Sequence, residues 1–184
     1  MGRVLVLYGT SEGHTHDVAA RIAEVLRAEG HSVDVVRAGA EQSGPLSDYD
    51  GVLVGGSIHM GSYQKAVTEF ASRNRTVLES VPSGLFTVCL TAASSTPGDS
   101  EKLHEFVDGF VGATGWQPPI AGVFAGALQY TKYGFVKRKV MKRIARDGGM
   151  SEDTSRDWDY TDWQAVEAFA SDYARLLRGE PAAG

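Results

Sequence analysis

RVLVLYGTSEGHT, Arg3 to Thr15, passes directly from an apolar strand into a polar loop. Val4-Leu5-Val6-Leu7 is short, rich in β-branched residues and continuously apolar, which suits a strand buried on both faces of a parallel sheet. Tyr8 and Gly9 end that run, and Thr10-Ser11-Glu12-Gly13-His14-Thr15 lead into an amphipathic helix. The loop brings together hydroxyls, a glycine that lets the backbone bend and the free N–H groups of a helix N-terminus. Together these make a site for a phosphate. The loop holds no lysine or arginine, so a phosphate there would rest on hydrogen bonds and the helix dipole. It is neither GxxxxGK(S/T) nor GxGxxG, which excludes the two commonest nucleotide loops. Taken alone, the six residues fit an ordinary helix-capping turn equally well.

Outward from this stretch the chain alternates strand and helix. Val18, Ala19, Ile22, Ala23, Val25 and Leu26 make a helical stripe that ends near Gly30. Val33 to Val36 is a second strand, Ser43-Gly44-Pro45 a loop and Gly51 to Gly55 a third strand. A helix over Gln64 to Leu78 turns Val67, Phe70 and Ala71 inward. Gly84 to Leu90 is a fourth strand, Thr91 to Gly98 a polar loop, and Glu101 to Val111 a helix carrying Leu103, Phe106, Val107 and Phe110. Ile120 to Ala125 is the fifth strand. Thr161-Asp162-Trp163-Gln164 has capping-box spacing and opens a last helix through Val166, Phe169, Tyr173 and Leu176. Short loops between alternating elements predict a doubly wound α/β fold, a five-stranded parallel sheet in the order 2-1-3-4-5. The expected organisation is one domain over residues 1–178, with an insert at about 127–160 and a frayed end at 179–184.

The 184 residues carry a net charge of −5 and 42% hydrophobic content, enough for a substantial core, and nothing global argues for nucleic acid. The single cysteine, Cys89, sits in an apolar run and reads as a core residue; an internal disulfide is excluded. No signal peptide and no apolar stretch long enough to span a bilayer are visible, so the expected location is the cytoplasm.

In a doubly wound sheet, ligands bind beside strand 1 at the carboxyl ends of the strands. The segments after strands 1, 3 and 4 should therefore converge. After strand 3, Gly55, Gly56 and Gly61 would let backbone approach a flat ring, with Ser57, Ile58, His59 and Met60 against it. After strand 4, Thr91, Ala92 and Ala93 offer small side chains and exposed amides. A phosphate site, apolar walls and amides reaching a ring's heteroatoms are what a flavin needs. His59 is either an acid or base beside that ring or one face of its pocket, and His14 either donates to the phosphate or faces solvent.

Gly126 to Tyr160 is the unusual stretch. Lys132, Lys137, Arg138, Lys139, Lys142, Arg143 and Arg146 stand there with no acid between Thr131 and Arg146. Take those seven away and the net charge of −5 falls to −12. Phe135, Val136, Val140, Met141 and Ile144 recur among them at helical spacing, and Gly148-Gly149 ends the helix. Three roles compete: a structural insert, a surface on anionic lipid spanning Tyr130 to Arg146, or a dock for an acidic partner. Stacking aromatics are sparse beyond Tyr130 and Tyr133, which argues against nucleic acid.

Thr10 to Thr15 resembles the phosphate loop of flavodoxins, where that loop holds the monophosphate of FMN. Across nearly its whole length the chain resembles the flavodoxin-type, menaquinone-dependent protoporphyrinogen IX dehydrogenase family. The matching stretches are VLVLYGTSEGHT, the Tyr49-Asp50 lead into VLVGGSIHMGSY, Ala125 to Tyr130, the basic helix ending in Gly148-Gly149, and Tyr160-Thr161-Asp162-Trp163. The resemblance implies FMN as cofactor, a porphyrinogen or other small organic substrate and a quinone acceptor; the basic insert, together with a lipid-soluble quinone, points to a peripheral place on the inner face of the cell membrane. The cofactor-binding residues expected from the three convergent segments are Thr10, Ser11, Glu12, Gly13, His14, Thr15, Ser57, Ile58, His59, Met60, Gly61, Thr91, Ala92 and Ala93. At His59, Met60, Gln129 and Ala92 to Ser95 the chain departs from the family's basic and aromatic pattern. Those positions bear on the porphyrin, whose propionates need cationic partners, rather than on the flavin. The alternative is an electron-carrying flavodoxin with a protein partner.

Overall fold

In a computed structural model of the chain, residues 1–40, 44–59 and 61–180 are described. Ser43, Met60 and residues 181–184 of the frayed end expected at 179–184 lie outside the described residues. The central strand β1 (Arg3–Gly9) pairs in parallel with β2 (Ser32–Arg37) on one side and β3 (Gly51–Ser57) on the other. β4 (Ser83–Cys89) and β5 (Ile120–Ala125) complete a sheet in the order β2-β1-β3-β4-β5, as expected. The alternation of side chains along β1 divides the core in two. Val4 and Val6 point into the layer under α1 (His14–Ala28) and α6 (Trp163–Leu177), among Ile22, Leu26, Phe169 and Tyr173. Leu5 and Leu7 point the other way, toward Val67, Leu78, Phe110 and Trp116. That second layer is covered by α2 (Lys65–Arg73), α3 (Arg75–Ser80) and α4 (Asp99–Thr114).

The structure alters three elements of the sequence reading. The helix expected over Gln64 to Leu78 is two helices, broken at Asn74, whose side-chain Nδ2 donates to Phe70 O at 2.9 Å. Asparagine competes with the helical ladder in this way, and a hydrophobic stripe alone does not reveal it. The helix expected over Glu101 to Val111 runs Asp99–Thr114, bounded by Gly98 and Gly115, both at positive φ. The last helix is capped by Asp162, whose carboxylate accepts from Ala165 N at 3.0 Å. Thr161 is not the cap; its hydroxyl donates to Ala125 O at 2.9 Å, across the sheet edge.

Between β5 and α6 the chain builds a small unit of its own. Strands β6 (Ala127–Leu128) and β7 (Trp158–Asp159) pair antiparallel, and α5 (Phe135–Asp147) lies between them in sequence. Leu128, Tyr130, Tyr133 and Ala145 form its buried centre, with Met141, Met150, Trp158 and Tyr160 packed around them. Tyr130 and Tyr133 are therefore core residues and not part of a lipid-facing surface. Among the described residues no helix is long and apolar enough to cross a membrane.

Candidate functional site

The turn after β1 is shaped by Gly13, which has φ 103° and precedes the first residue of α1. Its N–H donates to Thr10 Oγ1 at 2.8 Å, closing the loop so that the first N–H groups of α1 face outward past the strand end. Thr15, 1% exposed, has a hydroxyl with no hydrogen-bond partner. Ser11 Oγ accepts from Gln64 Nε2 at 3.2 Å. Gln64 also gives that Nε2 to Ser57 Oγ at 2.5 Å and takes Ser57 N–H on Oε1 at 3.2 Å. One side chain thus ties the loop after β1 to the end of β3. Sequence reading placed Gln64 only at a helix start.

After β3, Ile58 N donates to Val88 O at 3.0 Å, which prolongs the ladder by one step. His59 and Ser62 then exchange backbone hydrogen bonds at 2.9 and 3.2 Å around Gly61, whose φ is 79°. Gly55 and Gly56 do not serve an incoming ring. A Cβ on Gly55 would collide with the Phe86 ring, and one on Gly56 would come within 2.8 Å of Tyr63. They are glycine because the core's own aromatics fill that space. Tyr63 donates to or accepts from Thr87 at 2.6 Å, and burial pushes its phenol up to about 12. After β4, Leu90–Ala93 is a single 3-10 turn. Its Thr91 and Ala92 amides turn toward Cys89, a buried free thiol pushed up by burial and only partly drawn back by those two amides.

These strand ends border one cleft of about 600 Å³. Thr10, Ser11, Glu12, His14, Thr15, Ser57, Ile58, His59, Gly61 and Thr91 line it. Gly13, Ala92 and Ala93 do not reach its wall, and Met60 lies outside the described residues. The sequence reading missed the far wall, made by Phe106, Gly126, Ala127 and one face of α5: Lys137, Val140, Met141 and Ile144. Those four positions follow i, i+3, i+4, i+7, so the signal was present in the periodicity. What could not be read was the surface they would face.

Helix α5 lies across the cleft and is fastened at both ends. Near its start, Tyr133 OH donates to Glu12 Oε2 at 2.6 Å, and Lys137 Nζ meets Glu12 Oε1 at 2.5 Å. Burial and the adjacent Glu12 carboxylate push the Tyr133 phenol far up, so it remains a donor. At its end, Ser95 N and Thr96 Oγ1 donate to Gly148 O and Asp147 O at 3.4 and 3.0 Å. Met141 packs into the insert, whereas Phe135 and Val136 stand 74% and 75% exposed. His14 neither faces solvent nor points freely into the loop. Its Nε2 lies 2.6 Å from Thr161 Oγ1 and 3.5 Å from Asp159 Oδ1.

A model of the flavodoxin domain matches residues 5–155. Protoporphyrinogen IX dehydrogenase (quinone) of Leishmania major is 35% identical over 180 residues, 97% of this chain and 78% of that protein. The chain belongs to this flavodoxin-domain family. Its Escherichia coli relative of the same name is 32% identical over 174 residues, covering 95% of this chain and 96% of that one. A short-chain flavodoxin associated with a bacterial microcompartment shares the fold at a TM-score of 0.59, with 15% identity, 96% of this chain and 99% of that one covered. The insert between β5 and α6 forms one whole side of the cleft.

Proposed function

We propose that the chain is an FMN-dependent oxidoreductase that oxidises protoporphyrinogen IX to protoporphyrin IX and passes the electrons to a quinone. The observation that carries it is the cleft itself. At one end Thr15 holds an unsatisfied hydroxyl beside the N-terminus of α1, and the remaining walls are mainly apolar. A buried hydroxyl without a partner is costly, and a phosphate oxygen would satisfy it. Thr10, Ser11 and Thr15 would hold the phosphate, with Ile58, His59, Gly61 and Thr91 along the ring. Bound there, the flavin supplies hydride and single-electron chemistry. The chain's part is to orient it and to exclude water with Val140, Met141 and Ile144. Lys137, at the cleft wall, is paired with Glu12 Oε1 and steadies the loop after β1.

The relatives' names supply the substrate and acceptor classes. An electron carrier that docks a protein would need this same face open, whereas α5 crosses it and is bonded down at both ends. Phe135, Val136, Val140 and Ile144, at 44–75% exposure among the cations of α5, also support contact with an anionic membrane where a lipid-soluble quinone is concentrated. Cosedimentation with anionic but not neutral vesicles, weakened by salt and by charge reversal of Lys139 and Lys142, tests that contact. If the protein never pellets, the membrane role is wrong.

The function is tested by supplying FMN-loaded protein with protoporphyrinogen and a menaquinone analogue without oxygen. Quinone-dependent appearance of porphyrin fluorescence is expected. Fluorescence that rises no faster than without protein would refute the assignment. FMN should also bind far more tightly than riboflavin, which lacks the phosphate.

A further inference from the structure

We propose that Arg37, which lies outside the loop after β1, supplies the cation of the phosphate site and pairs through its guanidinium with the phosphate of the bound flavin. The inference rests on the FMN reading above and adds to it a residue from a different strand. Thr10 to Thr15 contain no lysine or arginine, yet they border the end of the cleft where α1 begins. There the helix N-terminus favours an anion, and the buried, unpartnered hydroxyl of Thr15 points independently to an oxygen as its missing partner. Neutral donors alone would leave the charge of a phosphate dianion without a counterpart. The fold brings a cation to that loop from the end of β2.

Its placement follows from the register of the sheet. Arg37 is the last residue of β2 and is paired with Tyr8 on β1. Side chains alternate along a strand, so Arg37 shares a face with Val33 and Val35. Those two pack in the layer under α1, beside their partners Val4 and Val6. Arg37 therefore leaves the sheet on the α1 side. Tyr8 does the same, and its ring meets His16, in the first turn of α1, at 5.3 Å between centroids. Past the end of this layer the arginine reaches the loop, where Nη2 donates to Thr10 O at 3.4 Å. Thr10 is also the residue whose Oγ1 accepts from Gly13 N, so the guanidinium touches the loop where its turn closes.

That contact leaves most of the guanidinium unused. It carries five N–H donors, and one long bond to a carbonyl occupies a single one of them. Arg37 is exposed and forms no ion pair among the described residues. The carboxylates around the loop are turned elsewhere. Glu12 is engaged by Tyr133 and Lys137, and Asp17 lies against His14 and His16. Arg37 is thus a cation without an anion, standing at a turn built for one. Its planar fork can keep an N–H on Thr10 O while other donors engage phosphate oxygens, which a lysine's point charge does less well.

Equilibrium binding of FMN and of riboflavin to the flavin-free full chain tests the pairing at low and high ionic strength. At about 0.01 M salt, where screening is weak, Arg37→Gln should bind FMN about three- to tenfold more weakly than the parent. Near 1 M salt most of that difference should vanish. Riboflavin affinity should not change, and each variant should melt with the parent because the position is exposed. Arg37→Glu loses the same bond to Thr10 O but adds an anion, so at low salt it should bind FMN more weakly still. Its gap from Arg37→Gln should close at high salt. Arg37→Lys, which keeps the charge, should recover part of the loss. If the glutamine and glutamate variants lose equal FMN affinity at both salt levels, Arg37 only shapes the loop and the inference is overturned with FMN still the cofactor. Unchanged FMN affinity in every variant, or equal losses for FMN and riboflavin, would overturn it in the same way. A parent chain that binds no FMN at either salt level would overturn the cofactor reading and this inference together.

Discussion

Thr15 is the residue at which stability and binding should part. Its hydroxyl is buried and unpaired in the folded chain, so Thr15→Val removes a desolvated polar group at nearly constant shape. The variant should melt no lower than the parent, while its FMN affinity falls roughly tenfold, about the worth of one hydrogen bond to a charged group. Riboflavin affinity should not change, and parallel titrations with the two flavins check this. The turn in this loop was legible because Gly13 stands between a buried strand and the start of an amphipathic helix. Gly55 was legible only as small. Its partner is the Phe86 ring on the neighbouring strand, a contact that depends on β3–β4 register. Gly55→Ala should therefore destabilise the fold by about 1–3 kcal/mol through overpacking, read as a lower denaturation midpoint. The side-chain partner of His14 was not legible, because Thr161 lies 147 positions away along the chain.

At the scale of elements, α5 is where sequence and structure differ most. Its amphipathic spacing and its end at Gly148 were both readable, but the apolar face divides between the insert's core and the cleft. The periodicity of a helix tells which residues share a face and nothing about what that face meets. The bond between Tyr133 and Glu12 holds α5 over the end of the cleft bordered by the loop after β1. Tyr133→Phe should cost about 1.5–3 kcal/mol locally, since it removes a partner from a carboxylate. Faster amide exchange over residues 135–148, with the five sheet strands still protected, is the expected pattern. Uniformly faster exchange would mean instead that the insert and sheet unfold as one unit. The break at Asn74 belongs to this scale as well: hydrophobic spacing runs through it undisturbed, and only the side chain's bond to Phe70 O marks it.

For the whole molecule, the parallel order of the sheet was legible from alternation and short connections, because right-handed crossovers leave few alternatives. Two groups at opposite ends of the scale contribute to its dependence on pH. Asp34 is held below its ordinary value of 3.8 by Tyr49 OH at 2.7 Å, against the pull of burial, and by Arg3 at 2.8 Å. Because the folded value is depressed, this stabilisation is complete above 3.8 and is lost as pH falls through the folded value. Asp34→Asn should flatten that acid limb in denaturation measured against pH. Tyr63 behaves in the opposite sense: burial raises it from 10.0 to about 12, so its contribution holds below 10.0 and is lost as pH climbs toward 12. Tyr63→Phe should remove that part of the alkaline limb. The chemistry assigned to the cleft is tested most directly by one anaerobic single-turnover measurement on the FMN-loaded protein. Protoporphyrinogen should bleach the flavin's visible absorption, and a menaquinone analogue added afterwards should restore it with porphyrin formed. A flavin that stays oxidised in the presence of protoporphyrinogen, yet is reduced readily by a flavodoxin reductase, would contradict the assignment.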